Sequence, residues 1–80
     1  MKLIAGDEKE SMTKRGLSFD MILAAPMLDF IDSATRKDQK YLVVRIGDYA
    51  VVVPCKSLKN NEWLMITAWY DRKFTKEYIK

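Results

Sequence analysis

The sequence predicts an α+β fold: two N-terminal helices packed on an antiparallel β-sheet, with a short helix at the C-terminus. Three observations carry this. Helix caps and helix-spaced apolar positions cluster in the first 26 residues. Two β-rich runs, residues 41–46 and 49–53, are joined by Gly47-Asp48 alone, the pattern of a tight hairpin. A third β-rich run, residues 62–70, follows a polar loop. With 80 residues there is room for one domain, 1–80, near the lower size limit for independent stability.

The elements follow in order. Residues 7–15 read as a short polar helix. Asp7 caps its start, Glu10 completes a capping-box-like pair, Lys14 and Arg15 suit the helix dipole, and Gly16 stands at C′. Few apolar residues lie in it, so it is expected on the surface and weakly held. Ser18 caps a second helix. Leu17 and Ile22 are spaced for a hydrophobic staple, and Phe19, Ile22, Leu23 and Ala25 supply an apolar face. Pro26 stops or kinks it. Residues 28–33 alternate apolar with acidic and read as a half-exposed strand. Residues 35–39 form a polar turn.

In the hairpin, the two-residue loop sets Ile46 opposite Tyr49, Val44 opposite Val51 and Leu42 opposite Val53. These six share an apolar face, expected against the helices. The other face carries Tyr41, Val43, Arg45, Ala50, Val52 and Pro54, and Arg45 there needs solvent, a carboxylate or a ligand. Residues 56–61 form a polar loop. Residues 62–70 read as one long strand, with Leu64, Ile66 and Ala68 on one face and Trp63, Met65, Thr67 and Trp69 on the other. Asp71-Arg72-Lys73 ends it, and Thr75 caps a last helical turn over residues 76–80.

Composition excludes several function classes. There is no histidine and one cysteine, Cys55. A zinc site of the Cys/His kind, a catalytic triad, a His general base and an internal disulfide are therefore ruled out. No metal or other cofactor is expected, and Cys55 beside the valine run reads as a buried structural thiol. Asp7, Glu8 and Glu10 read as a helix start rather than a metal site. Residues 1–5 run straight into Gly6-Asp7-Glu8, without the apolar stretch of a signal peptide, and no apolar run approaches the ~18 residues that span a bilayer. A soluble, cytoplasmic protein is expected. Net charge is +3, unevenly spread: residues 1–35 carry four Lys/Arg against six Asp/Glu, and residues 36–80 carry ten against five. A basic sheet half suits a polyanion or an acidic protein partner.

The chemistry open to that half is phosphate handling. Arg45, Arg72 and Lys73 are the candidate catalytic residues, and Lys40, Lys56, Tyr70 and Tyr78 are candidates for binding substrate. RNA can be cut by its own 2′-hydroxyl attacking the adjacent phosphate. The protein must then stabilise growing negative charge, a task suited to the planar guanidinium fork. Each such donor is worth about 10²–10³ in rate. Without histidine, proton transfer falls to lysine or tyrosine with a displaced pKa. Trp63, Trp69, Tyr41 and Tyr70 are candidates for stacking on unpaired bases. The plainer readings are a solvated strand end for Arg72 and Lys73, and core or interface for the tryptophans. Convergence of Arg45 with Arg72 and Lys73 depends on strand order, which the sequence leaves open.

Several segments also occur in a telling order: Asp7-Glu8-Lys9, then Arg15-Gly16-Leu17-Ser18-Phe19-Asp20, then the hairpin, then Asp71-Arg72-Lys73-Phe74-Thr75-Lys76-Glu77-Tyr78. Together they span nearly the whole chain, and the sequence resembles the BrnT family of toxins. The resemblance implies a RelE-like ribonuclease fold and a type II toxin that stops translation by cleaving RNA. It also implies a cognate antitoxin protein as partner, in a toxin–antitoxin hetero-oligomer. By the same resemblance the basic ending maps onto Arg72 and Lys73, the basic residue before the glycine onto Arg15, and a hairpin arginine onto Arg45. The chain departs from the family at Asp71, where a small residue is usual, and at Lys14-Arg15-Gly16, where Lys-His-Gly is frequent. Two other readings stand beside this one: a non-enzymatic α+β module binding protein or nucleic acid, and a structural subunit whose Trp63/Trp69 face is an interface.

Overall fold

The computed structural model describes residues 1–7 and 10–79. Along the chain run β1 (Lys2–Ala5), α1 (Glu10–Lys14), α2 (Phe19–Ala24), β2 (Met27–Asp32), β3 (Gln39–Ile46), β4 (Tyr49–Ser57), β5 (Glu62–Met65), β6 (Trp69–Asp71) and α3 (Arg72–Tyr78). The fold is α+β, with one sheet ordered β1-β5-β4-β3-β2 and β6 also paired to β4. Among the described residues no helix is long and apolar enough to cross a membrane.

The β3–β4 hairpin has the register its loop dictates, from Ile46 opposite Tyr49 to Gln39 opposite Lys56. Gly47 takes a φ of 62° and Asp48 does not follow it into positive φ, the backbone signature of a II′ turn. A two-residue loop makes Ile46 and Tyr49 a hydrogen-bonded pair, so alternate amides on each strand point away from the partner. Arg45 accordingly donates its N–H to Pro26 O at 3.0 Å on the β2 side. Ala50, Val52, Pro54 and Lys56 of β4 face the opposite edge, toward β5 and β6.

Pro54 is therefore the one position on that edge with no N–H to give. The ladder breaks there. Cys55 pairs with Met65, and Val52 pairs with Trp69. Two β4 residues, Val53 and Pro54, thus stand against three, Ile66, Thr67 and Ala68, which is the extra residue of a β-bulge. Pro54 keeps only its carbonyl in play, accepting from Ile66 N at 2.9 Å. The single long strand expected over residues 62–70 is thereby two short strands, and the bulge flips the side-chain phase between them. Trp63 and Met65 lie on the helix side, where Trp63 packs on the core and meets the Phe30 ring edge-on at 5.2 Å. Trp69 faces the other side with Val52. The two tryptophans form no common face, so an interface built on that pair does not exist in this fold.

The helix side holds the main core: Met12, Leu17, Phe19 and Ile22 pack on Leu42, Val44, Val51, Val53, Cys55, Met65 and Ala68. Burying these apolar groups is the chief favourable term in the fold. Cys55 is fully buried, and desolvation pushes its thiol up to about 11. Ser18 caps α2 by accepting from Met21 N at 3.2 Å. α1 is shorter than the span 7–15. Glu8 and Lys9 lie outside the described residues. Among the described residues no hydrogen bond joins the expected capping pair, Asp7 and Glu10, and Glu10 instead pairs with Lys14 at 3.9 Å. Its end is a Schellman motif: Leu17 N reaches Met12 O, Gly16 N reaches Thr13 O, and Gly16 takes a φ of 73°. That motif turns Met12 and Leu17 inward together, so α1 is anchored in the core rather than lying loosely on the surface.

Two further features differ from expectation. β1, for which no strand was foreseen, runs parallel to β5, so the sheet is mixed rather than antiparallel throughout. At its end Gly6 donates to Met65 O at 2.9 Å, and a Cβ on Gly6 would lie 2.5 Å from that oxygen. On the face opposite the main core, α3 packs on β4, and Ala50 and Val52 of β4, with Val43 beside them on β3, are buried. α3 begins at Arg72 with Asp71 as its cap, Asp71 Oδ1 accepting from Phe74 N at 3.0 Å. Thr75 is not a cap. It sits one turn inside the helix and ties it to the sheet. Lys80, the end of the expected final turn, lies outside the described residues.

Candidate functional site

The sheet topology decides which cations meet. Arg45 pairs with Ala50, and Ala50 pairs with Asp71 across β6. Arg45 and Asp71 therefore stand in one row, two strand spacings or about 10 Å apart, and Arg72 follows at the first position of α3. The hairpin arginine and the basic ending thus share one end of the sheet, the end of the II′ turn.

Thr75 fixes α3 at this end. Its hydroxyl accepts from Ala50 N at 2.9 Å and donates to Asp71 O at 2.6 Å. Ala50 is the first β4 residue whose N–H points away from β3, so a hydroxyl just past the end of β6 is where an acceptor is needed. Further along α3, Tyr78 donates to Asp29 Oδ2 at 2.5 Å across the face. This bond, with the Phe30 N–H donating to the other carboxylate oxygen, holds Asp29 below its usual pKa. Tyr78 is raised above its own, chiefly by the same bond.

Between β4, β6 and α3 lies a groove of about 520 Å³ lined by Tyr49, Tyr70, Asp71, Arg72, Thr75 and Lys76. Tyr49 and Tyr70 are 57% and 42% exposed and meet edge to face, with centroids 5.7 Å apart. Register explains them. Tyr49 continues the apolar face of the hairpin and Tyr70 pairs with Val51 on it, but the helices pack farther along and leave both rings bare. Tyr49 therefore does not pack under the helices as its strand partners do. Arg72 and Lys76 are four apart on α3, hence on one face, exposed, and without an ion pair among the described residues.

The expected site residues divide sharply. Arg72 and Tyr70 line the groove, and Lys73 is exposed beside them on α3. Arg45 is near but partly committed: its Nε donates to Gly47 O at 3.0 Å and Nη2 lies 3.7 Å from Asp48. Lys40 and Lys56 lie toward the opposite end of the hairpin; Lys40 is five residues from Arg45, about 17 Å along the strand. Lys40 is also engaged, 3.1 Å from Asp32 with its ammonium 5.1 Å from the Phe30 ring and 5.8 Å from Trp63. Arg15 donates to Ala68 O at 3.0 Å, tying the α1–α2 turn to the bulge, which is a structural task. Tyr78 is spent on Asp29. Tyr49 and Lys76 also line the groove, although the sequence alone does not single them out. Tyr49 was hidden in the apolar alternation, and Lys76 was one of ten Lys/Arg in its half of the chain.

Comparison with protein-family models, with curated proteins and with solved structures found no match to this chain.

Proposed function

We propose that this chain is a type II toxin of RelE-like arrangement, an endoribonuclease that cuts RNA without a metal and is neutralised by a cognate antitoxin in the cytoplasm. The observation that supports the reading is that the strand register sets Arg45, Arg72 and Lys73 at the same end of the sheet, beside an exposed tyrosine pair. Arg72 is the phosphate-binding group, free of any carboxylate partner among the described residues. Lys73 adds a second cation, and Arg45 keeps one terminal nitrogen for the same phosphate. The reaction is transesterification: the 2′-oxygen bonds to phosphorus, the 5′-oxygen leaves, and one proton is lost and another gained. With no histidine in the chain, guanidinium stabilisation of the pentavalent phosphate and alignment of the 2′-oxygen supply most of the acceleration, so turnover is slow. The test is expression with and without an antitoxin, together with purified protein acting on total RNA in EDTA. Growth arrest and fragments ending in 2′,3′-cyclic phosphate support the proposal. Intact RNA at high protein concentration refutes it.

A second reading, a module that binds RNA without cutting it, is favoured by one observation. Arg45 is already held by Gly47 O and Asp48, which leaves Arg72 and Lys73 as the uncommitted cations of the set. Binding without cleavage in the same assay selects it.

A further inference from the structure

We infer that the groove between Tyr49, Tyr70 and α3 seats one unpaired nucleotide of a single-stranded RNA, its base on Tyr49 and its phosphate between Arg72 and Lys76. This rests on the RNA-directed reading above and deepens it, by restricting the substrate to single strands and assigning Tyr49 and Lys76 to its recognition. The groove's volume, about 520 Å³, falls within the ~300–1,000 Å³ of small-ligand sites. Its walls divide by chemistry. One is the tyrosine pair, set at 75° to each other, an edge-to-face arrangement that leaves a ring face for a third aromatic system. The other is Arg72 with Lys76, one helical turn apart and exposed.

Of the other polar groups in the groove, the Thr75 hydroxyl is fully used and Asp71 is tied through one carboxylate oxygen, its single negative charge set against the two positive charges of Arg72 and Lys76. Asp71 Oδ1 accepts from Phe74 N, and the Thr75 hydroxyl is used in both directions by Ala50 N and Asp71 O. Asp48, next to Tyr49, is paired with Arg45. What the groove offers a ligand is therefore a net positive charge on one wall and π surface on the other. A nucleotide of a flexible strand answers both at once, whereas a duplex keeps its base faces stacked inside the helix and presents phosphate only.

The experiment is fluorescence anisotropy with a fluorescein-labelled 16-nucleotide RNA of mixed sequence, alone and annealed to its complement, with cleavage followed in parallel. Expected for Tyr49→Ala is a loss of about 5- to 150-fold in single-strand affinity, the worth of one stacked base, with Tyr49→Phe unchanged. Lys76→Gln lowers the slope of log affinity against log salt by about 0.7, one phosphate contact to a single strand. Duplex binding is weaker and indifferent to Tyr49. The inference is overturned if wild type binds neither form, if it binds both alike, or if Tyr49→Ala stays within twofold of wild type while its circular dichroism shows it folded. Tyr49-dependent binding without cleavage sustains this seat and removes the nuclease. Cleavage with Tyr49-independent binding does the reverse.

Discussion

Replacing Thr75 by valine removes one hydroxyl from the place where α3 is fastened to the sheet. The two side chains have nearly the same shape, so packing against β4 is preserved and the loss is one of hydrogen bonding. Ala50 is fully buried, and its N–H points away from β3 toward β6, so without Thr75 Oγ1 its one remaining acceptor is Asp71 O, its ladder partner. Losing one of two acceptors in such a position costs about 0.5–1.5 kcal/mol. Asp71 O loses a donor as well, a smaller effect because a carbonyl retains other options. A total of about 1 kcal/mol corresponds to a fall in Tm of roughly 4–8 °C for a domain of this size. Thr75→Ser keeps the hydroxyl and should recover most of the loss. Thermal and urea unfolding followed by circular dichroism measure both variants. If Thr75→Val unfolds within about 0.5 kcal/mol of wild type, the hydroxyl does not fasten α3, and the positioning of Arg72 and Lys76 must have another cause.

Under the proposed function, the double substitution of Arg72 and Lys73 by alanine should abolish growth arrest on expression while leaving urea stability within about 0.5 kcal/mol, because both side chains are exposed; growth arrest that persists in the double variant would exclude them from the proposed site. Gly6→Ala forces a Cβ against Met65 O and should cost roughly 1–3 kcal/mol in unfolding free energy, and an unchanged midpoint would mean that β1 does not hold this register. Asp29 titrates below its usual value of 3.8 in the fold, so the stability it contributes is present above pH 4 and lost as pH falls through the lowered value. Tyr78 titrates above 10.0, so its share is present below pH 10 and lost as pH rises through the raised value. The stability gap between wild type and Tyr78→Phe should therefore be widest between these limits and shrink beyond both, and a gap constant from pH 3 to pH 11 would dissociate the pair. The Cys55 thiol, buried and shifted to about 11, should react with a thiol reagent only after unfolding; rapid reaction of the native protein would contradict its place in the core.

The hairpin was legible because three cues agreed: β-branched runs of matching length, a Gly-Asp loop that sets register by itself, and apolar alternation. The second helix was legible for the same reason, Ser18, Leu17, Ile22 and Pro26 all marking one span. The bulge was not. Residues 62–70 are continuously β-prone, and the extra residue is required by Pro54, which lies on another strand and matters only once the hairpin's amide directions are known. Missing it placed Trp63 and Trp69 on one face. β1 escaped notice because it is four residues long and its parallel partner lies some sixty positions away. Asp71 and Thr75 are both good caps by composition. The geometry gives the cap to Asp71, and Thr75 instead answers the buried Ala50 N–H. For the site, residue type named the cations but not their company. Arg72 and Tyr70 line the groove because β6 pairs with β4 next to the turn, while Arg15 and Lys40, equally basic on paper, are used up by Ala68 O and by Asp32 with two aromatic rings.

A titration of isotope-labelled protein with single-stranded RNA, followed residue by residue through backbone amide shifts, asks most directly whether the turn end of the sheet is where RNA sits. Perturbations should concentrate at Tyr49 and Tyr70 through Lys76, sparing Lys40 and Lys56 at the far end. Shifts centred on Lys40 and Lys56, or none at saturating RNA, would contradict an RNA site built on Arg72.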